Sequence, residues 1–379
     1  ETLATGSLWR QPDLAKTLRV IAREGSDGFY KGAVAELIIR AMEKNAGLIT
    51  RKDLEDYRVV ERAPVVGRYR NHEIHAMPPP SSGGVHLVQM LNMLEGWDLS
   101  GLGHNSAAYL HRLVESMRRA YADRSKYLGD PDFTPVPVAA LTSKTYAKQL
   151  RERVDLKRAT PSERVLPGAV LGAESHDTTH FSVWDAAGNV VSNTYTINFS
   201  YGSGIAVDGA GFLLNNEMDD FVAKPGTPNA YGLVGGAANA IAPRKRPLSS
   251  MTPVIVLESG RPVMTTGSPG GSTIITTVLQ TLLNVIDFEM NIAEAAAAPR
   301  IHHQWLPDKV FMEEGISPDT QQLLRGMGHN LQLSPRVLGR TQSISSDGRN
   351  TYGANDYRWP GGAAVAELPA KRGRQNKNK

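Results

Sequence analysis

The sequence predicts an α+β fold in which sheets are covered by helices, not a parallel doubly wound arrangement. Three observations carry this. Apolar residues recur at helical spacing through much of the chain before residue 130. At Thr178 the pattern switches to period two around a hairpin turn. Beyond residue 250, short alternating runs and longer helical runs are mixed.

The helices come first. "PDLAKTLRVIAREG" places Leu14, Leu18 and Ile21 on one face and stops at Gly25. "GAVAELIIRAMEKNAG" repeats the device with Val34, Leu37, Ile38 and Ala41. After a strand near "HEIHAM", the prolines of "PPPSSGGVHLVQMLNMLEG" forbid helix until Ser81–Gly84 open one carrying Leu87, Met90, Leu91 and Leu94. "NSAAYLHRLVESMRRAYADRSKYLG" reads as a long amphipathic helix capped by Asn105. Residues 155–177, with Pro161, Pro167, Gly168 and Gly172, read as a loop or linker. From Thr178, "THFSVWDAAGNVVSNTYTINF" gives two strands around Ala187-Gly188-Asn189, the first half-buried with Phe181 and Val183 on one face. Strands follow at 253–257, 262–266 and 340–345, and helices at 272–286, 292–298 and 317–326, the last capped by Ser317.

Composition narrows the class. The chain has 379 residues, 41% hydrophobic and 21% charged, as in a soluble globular protein. No run approaches the ~18 apolar residues of a membrane helix. With no cysteine, thiolate chemistry and disulfides are excluded. The net charge of +4 is misleading as a nucleic-acid signal. The last eleven residues, "PAKRGRQNKNK", hold five basic groups, and the other 368 residues sum to −1. The body is neutral and the tail, 369–379, reads as a disordered basic end. No partner nucleic acid is expected.

Five clusters have residue types suited to chemistry. "ESHDTTHFSVWD" sets Asp177 and Thr178 at a loop-to-strand junction. Thr178 is either an ordinary strand residue or a latent nucleophile, exposed as a new N-terminus by cleavage after Asp177. A free α-amine on the same residue, with a pKa near ~8, is a base able to take the hydroxyl proton. In "TYTINFSYGSG", Thr196 and Asn198 fall on one face of the partner strand. "LLNNEMDDF" ends in Glu217, Asp219 and Asp220, which suit an ammonium group, a hard cation such as calcium, or a solvated acidic turn. "KRPLSSMTP" carries Ser249 and Ser250. In "TTGSPGGSTIITTVLQ", Gly270-Gly271 opens a helix whose N-terminal amides can hold an anion or oxyanion, without the lysine of a P-loop. "PNAYGLVGGAAN" reads as a flap with Tyr231 as its one large aromatic. No metal-ligand spacing is present. The side chains of the adjacent His302 and His303 diverge, so packing or capping suits them better than ligation.

In order and spacing, "DFTPVP", "TTHFSV", "LLNNEMDDF", "KRPLSSM", "TGSPGGS" and "APRIHHQWLPD" resemble the γ-glutamyltranspeptidase (glutathione hydrolase) family of N-terminal-nucleophile hydrolases. The likeness spans nearly the whole chain apart from the tail. It implies a four-layer αββα sandwich, made as a zymogen that cleaves itself between Asp177 and Thr178. Residues 1–177 would be the C-terminal part of a large subunit and 178–368 the small catalytic subunit of a heterodimer. Thr178 would be the nucleophile, Thr196 the threonine that orients it, and the Gly270 and Gly271 amides the oxyanion hole. Asn198, Glu217, Asp220, Ser249 and Ser250 would hold the α-amino and α-carboxyl end of a γ-glutamyl group, with Tyr231 as a gate. The activity implied is γ-glutamyl transfer from glutathione or other γ-glutamyl amides to water, amino acids or dipeptides through a threonine ester. No cofactor and no metal are implied, and the location is periplasmic or secreted. The family also has an earlier large-subunit portion, with an arginine that pairs with the substrate carboxylate. Neither has a counterpart here, so the sandwich is expected to be incomplete at its N-terminus. The alternatives are a related acylase acting on glutaryl-type amides, or an inactive fragment.

Overall fold

The computed structural model describes residues 3–165, 178–224, 227, 229–230 and 233–367. Asp177 and Tyr231 lie outside the described residues, as do the tail residues 369–379. The described chain forms two compact units. One comprises 3–63, 178 and 196–219; the other comprises 64–165, 179–195 and the described residues from 220 onward.

The first unit is built on helices α1 (Pro12–Glu24), α2 (Asp27–Tyr30), α3 (Gly32–Lys44) and α4 (Arg51–Asp56). On α3 the apolar face read from the sequence is the one buried: Val34, Ile38 and Ala41, joined by Ala35, pack with Leu54, and Leu37 is half-buried against them. Val207 and Ala210, from the irregular segment 196–219, complete this core, with Phe212 and Leu214 against it. On α1 the expected face is not buried: Leu18 is 55% exposed and the buried residue is Thr17. Thr17 donates from Oγ1 to the Ala210 carbonyl at 2.8 Å, so a polar group buried on α1 is satisfied by that segment.

Among the described residues, the strands all lie in the second unit. β1 (Val65–Tyr69), β2 (His72–Ala76), β3 (Thr179–Trp184), β4 (Val190–Tyr195), β5 (Val254–Glu258), β6 (Arg261–Thr266), β7 (Ile301–His302), β8 (Val310–Met312), β9 (Leu331–Leu333), β10 (Gln342–Ser346) and β11 (Thr351–Asn355) follow in chain order. Six of them form an antiparallel sheet, β1-β2-β5-β6-β10-β11. Pro262 lies in β6 beside a register shift at Val256/Leu257. A bulge is one of the few places where a sheet tolerates a residue without an N–H. β7-β8-β9 make a small separate sheet.

Helices of this unit are α5 (Gly83–Leu94), α6 (Leu99–Leu102), α7 (Ala107–Tyr127), α8 (Val138–Leu141), α9 (Lys144–Glu152), α10 (Ile274–Ile286), α11 (Ile292–Ala297) and α12 (Pro318–Gly326). Every residue of α5 is buried. It packs on β1 and β2 and against α7, α9 and α10. Ser106, not Asn105, caps α7, accepting from the Tyr109 N–H at 3.1 Å. Asn105 instead adopts a left-handed conformation (φ 55°) and donates to the Pro299 carbonyl. Asparagine tolerates that region well, which frees the next residue to cap.

The β3-β4 hairpin forms as expected around residues 185–189, but its faces are inverted. Phe181 and Val183 are 44% and 48% exposed, whereas His180 is 4% exposed. The polar face turns inward because it is tied to the sheet. Ser182 donates to the Gln342 carbonyl and Ser192 to the Thr266 carbonyl. His180 Nδ1 meets Thr194 Oγ1 at 2.8 Å. Gly267 makes this approach possible, since a Cβ there would stand 2.2 Å from the His180 ring.

Candidate active site

β3 and β4 pair from Thr179↔Tyr195 to Trp184↔Val190. Thr178 and Thr196 are therefore the residues just beyond the last pair, one on each strand. Their hydroxyl oxygens lie 3.3 Å apart, Thr178 donating to Thr196. Thr196 Oγ1 also accepts the Asn198 N–H at 2.8 Å. The expected strand alternation stops here: β4 ends at Tyr195 and Asn198 is left-handed (φ 73°). This turn directs the Asn198 side chain to the Asn216 carbonyl, while Asn216 Oδ1 accepts the Phe199 N–H. Asn198 and Asn216 thus pin together the two ends of segment 196–219, just before the short 3-10 turn Glu217–Asp220.

In the second unit, Asp220 and the serine pair are joined by Asn239, which the sequence reading missed. Buried Asn239 donates from Nδ2 to the Asp220 carbonyl at 2.7 Å and accepts the Leu248 N–H at 3.0 Å. Ser249 forms a parallel bridge with Ser81, and its carbonyl accepts both the N–H and the hydroxyl of Ser82, each at 2.8 Å. Ser81 Oγ donates to the Met251 carbonyl at 2.6 Å. The "PSSGG" run before α5 therefore acts as the bed of the Ser249-Ser250 turn as well as a helix start.

Gly270 (φ 139°) and Gly271 (φ 53°) both occupy backbone space that side chains disfavour. A Cβ on Gly270 would stand 2.5 Å from Thr273 Oγ1. Thr273 closes the turn by donating its N–H and hydroxyl to the Gly270 carbonyl. The turn feeds α10 through the 3-10 segment Gly271–Thr273, which leaves amides at a helix start, the arrangement suited to an oxyanion. Tyr121 of α7 holds the same turn through the Ser272 carbonyl.

The segment ahead of residue 166 is tightly held. Glu115 accepts from the N–H and hydroxyl of Thr160. Asp308 accepts the Ser162 N–H at 2.8 Å, and Trp305 Nε1 donates to the Ser162 and Val165 carbonyls. The histidine pair is packed, as expected. His302 meets Thr276 Oγ1 and Gln304, and His303 meets Asp308. Burial, with Arg118 close by, lowers His303 to about 4, and burial alone lowers His180 to about 4. Both are neutral near pH 7. A groove of about 1030 Å³ beside β5 and β6, lined by Glu258, Arg261, Asn291 and Tyr352, includes none of the candidate catalytic or substrate-binding residues.

A family model described as gamma-glutamyltranspeptidase matches residues 1–366. The chain belongs to the γ-glutamyltranspeptidase family. It is 53% identical over 360 residues to the glutathione hydrolase proenzyme of Escherichia coli (strain K12), covering 94% of this chain and 62% of that one. It is 40% identical over 336 residues to the acylase ACY 1 proenzyme of Pseudomonas sp. (strain SE83), covering 88% of this chain and 57% of that one. Among solved structures, the cephalosporin acylase from Bacillus halodurans superposes with a TM-score of 0.84 at 28% identity, over 96% of this chain and 64% of that one. The chain thus spans about three fifths of these relatives. The α+β, αββα class of N-terminal-nucleophile hydrolases stands with this match. No described helix is long and apolar enough to cross a membrane.

Proposed function

We propose that this γ-glutamyltranspeptidase-family chain transfers γ-glutamyl groups from glutathione or related amides, after cleavage of the Asp177–Thr178 bond. The observation that carries the reading is the Thr178–Thr196 hydroxyl contact at the head of the hairpin. Once Thr178 is a chain start, its α-amine takes the Oγ1 proton as that oxygen adds to the γ-carbonyl carbon. The same proton passes to the leaving amine as the C–N bond breaks, leaving a γ-glutamyl ester on Thr178. Water, or the amine of an amino acid or dipeptide, then opens the ester and returns a proton to Thr178.

In this scheme Thr196 orients the nucleophile and the Gly270-Gly271 turn stabilises the oxyanion. Asn198, Glu217 and Asp220 serve the α-amino end, Ser249 and Ser250 the carboxylate, and Tyr231 the gate. Residues 1–177 and 178–368 become the large-subunit and small-subunit pieces of a heterodimer, with 369–379 a basic tail, in a periplasmic or secreted enzyme. The E. coli relative, a glutathione hydrolase proenzyme, supports both the substrate class and the processing.

The acylase relative motivates a second reading, in which the substrate is a glutaryl amide without an α-amine. Glu217 and Asp220 favour the first, since two carboxylates suit a substrate ammonium. Turnover of γ-glutamyl-p-nitroanilide, with and without glycylglycine, against glutaryl-p-nitroanilide decides between them. N-terminal sequencing of the smaller band should read Thr-Thr-His-Phe. Preference for the glutaryl amide, or another N-terminus, would overturn the proposal.

A further inference from the structure

The serine pair proposed to hold the substrate carboxylate has a buried cation behind it. Arg124, on the inward face of α7, is 4% exposed, Ser250 8% and Ser82 0%. Its Nη2 donates to Ser250 Oγ at 3.1 Å and its Nε to Ser82 Oγ at 2.9 Å. A guanidinium has no acceptor, so both serine oxygens must accept, and both hydroxyl hydrogens are released to other partners. Ser82 spends its hydrogen on the Ser249 carbonyl. Ser250 is left as a polarised donor.

The charge on Arg124 is equally informative. Among the described residues its hydrogen-bond partners are these two hydroxyls, and no carboxylate lies within ion-pair distance. Asp220 acts on it only at longer range, favouring the charged form. Burial lowers Arg124 to about 10, so it stays charged at neutral pH. Elsewhere on the same helix, Arg118 and Arg119 are paired with Glu115. A buried cation without an anion is costly. An anion brought to Ser250 would offset that cost.

We infer that Arg124 is a positioning residue for α-carboxylate recognition: it fixes Ser250 as a donor, holds Ser82 on the Ser249 carbonyl behind the serine turn, and supplies the positive field at both. This rests on the γ-glutamyl reading above. Recognition would be indirect, with the Ser250 hydroxyl touching the ligand and the guanidinium acting through it. Arg124 thus sets which substrates bind and takes no part in bond making.

The test compares γ-glutamyl-p-nitroanilide with 4-aminobutyryl-p-nitroanilide, the same amide with hydrogen in place of the α-carboxylate. The full-length protein, Arg124→Met and Arg124→Lys are each assayed on both. The expected result is a fall of about 10- to 100-fold in the ratio of the two kcat/KM values for Arg124→Met, expressed in KM. Arg124→Lys keeps the charge but not the fork, so a smaller fall is expected. Adding Ser250→Ala to Arg124→Met should lower the ratio little further, because the two act as one unit. If Arg124→Met is insoluble, Arg124→Lys decides by the same ratio. Equal losses on both substrates would overturn the role of Arg124 and leave the γ-glutamyl reading intact. A starting protein that does not discriminate between the two amides would instead overturn the γ-glutamyl reading, and this inference with it.

Discussion

The hydroxyl of Thr178 donates to that of Thr196 across 3.3 Å, each residue standing one step beyond the last pair of the β3-β4 hairpin. The register of the hairpin sets this contact: a slip of one residue would turn one of the two hydroxyls to the other face. Thr196→Ala should therefore lower kcat by about 100-fold, the cost of a misplaced reacting group, with little change in KM. Thr196→Ser should restore most of it. Steady-state kinetics of the processed protein would show this, and an unchanged kcat in Thr196→Ala would remove Thr196 from the scheme.

Asp220→Ala should reduce kcat/KM by ~30- to 1,000-fold, about 2–4 kcal/mol, if its carboxylate holds the substrate ammonium. The fold should lose far less, because the buried Asn239 contact is to the Asp220 backbone carbonyl and survives truncation of the side chain. Kinetics paired with a thermal melt separates the two effects.

Asn239→Ala should behave differently. It deprives the Asp220 carbonyl and the Leu248 N–H of a shared buried partner. Stability should fall by about 2–3 kcal/mol, and KM should rise as Asp220 and the serine pair lose their common anchor. Denaturant midpoints and KM measured on one preparation would check both.

Gly270→Ala should be poorly tolerated. At φ 139° any Cβ is strained, and here it would also strike Thr273 Oγ1. A loss of about 1–3 kcal/mol is expected, together with a drop in kcat from the displaced amides. Thermal shift alongside kcat would detect it.

Acid should destabilise the protein in a defined window. His180 and His303 are lowered to about 4 by burial, and an unfolded histidine titrates near 6.5. Between those values the unfolded chain binds more protons, so stability rises with pH. The stabilisation is complete above about pH 6.5 and is lost as pH falls towards 4. His180→Gln should flatten part of that decline in a series of melts from pH 7 to 4.

Much of the fold was legible because it is locally encoded. The 3.6-residue periodicity of α1, α3, α5 and α10 and the alternation around residues 185–189 are properties of short windows. What failed depended on distant partners. Phe181 and Val183 read as the buried face, yet the ties of Ser182, Ser192 and His180 to the sheet turn the polar face inward. Asn105 and Ser106 are both good caps, and the Asn105 bond to the Pro299 carbonyl selects between them. Within the candidate site, residue type and spacing singled out Thr178, Thr196 and the glycine turn, and only the family resemblance gave them roles. Arg124 and Asn239 could not. A charged residue on an amphipathic helix reads as solvated, and nothing local links Arg124 to a serine 126 positions later.

The ladder joining β2 to β5, from His72↔Glu258 to Ala76↔Val254, connects chain on opposite sides of Thr178. A break after Asp177 would sever the covalent thread and leave this seam stitched. The products would be interleaved strands of one sheet, unable to drift apart without exposing five residue pairs and the wholly buried α5. A nicked molecule should accordingly elute as one species and melt in a single cooperative step, and yield two bands only in denaturant.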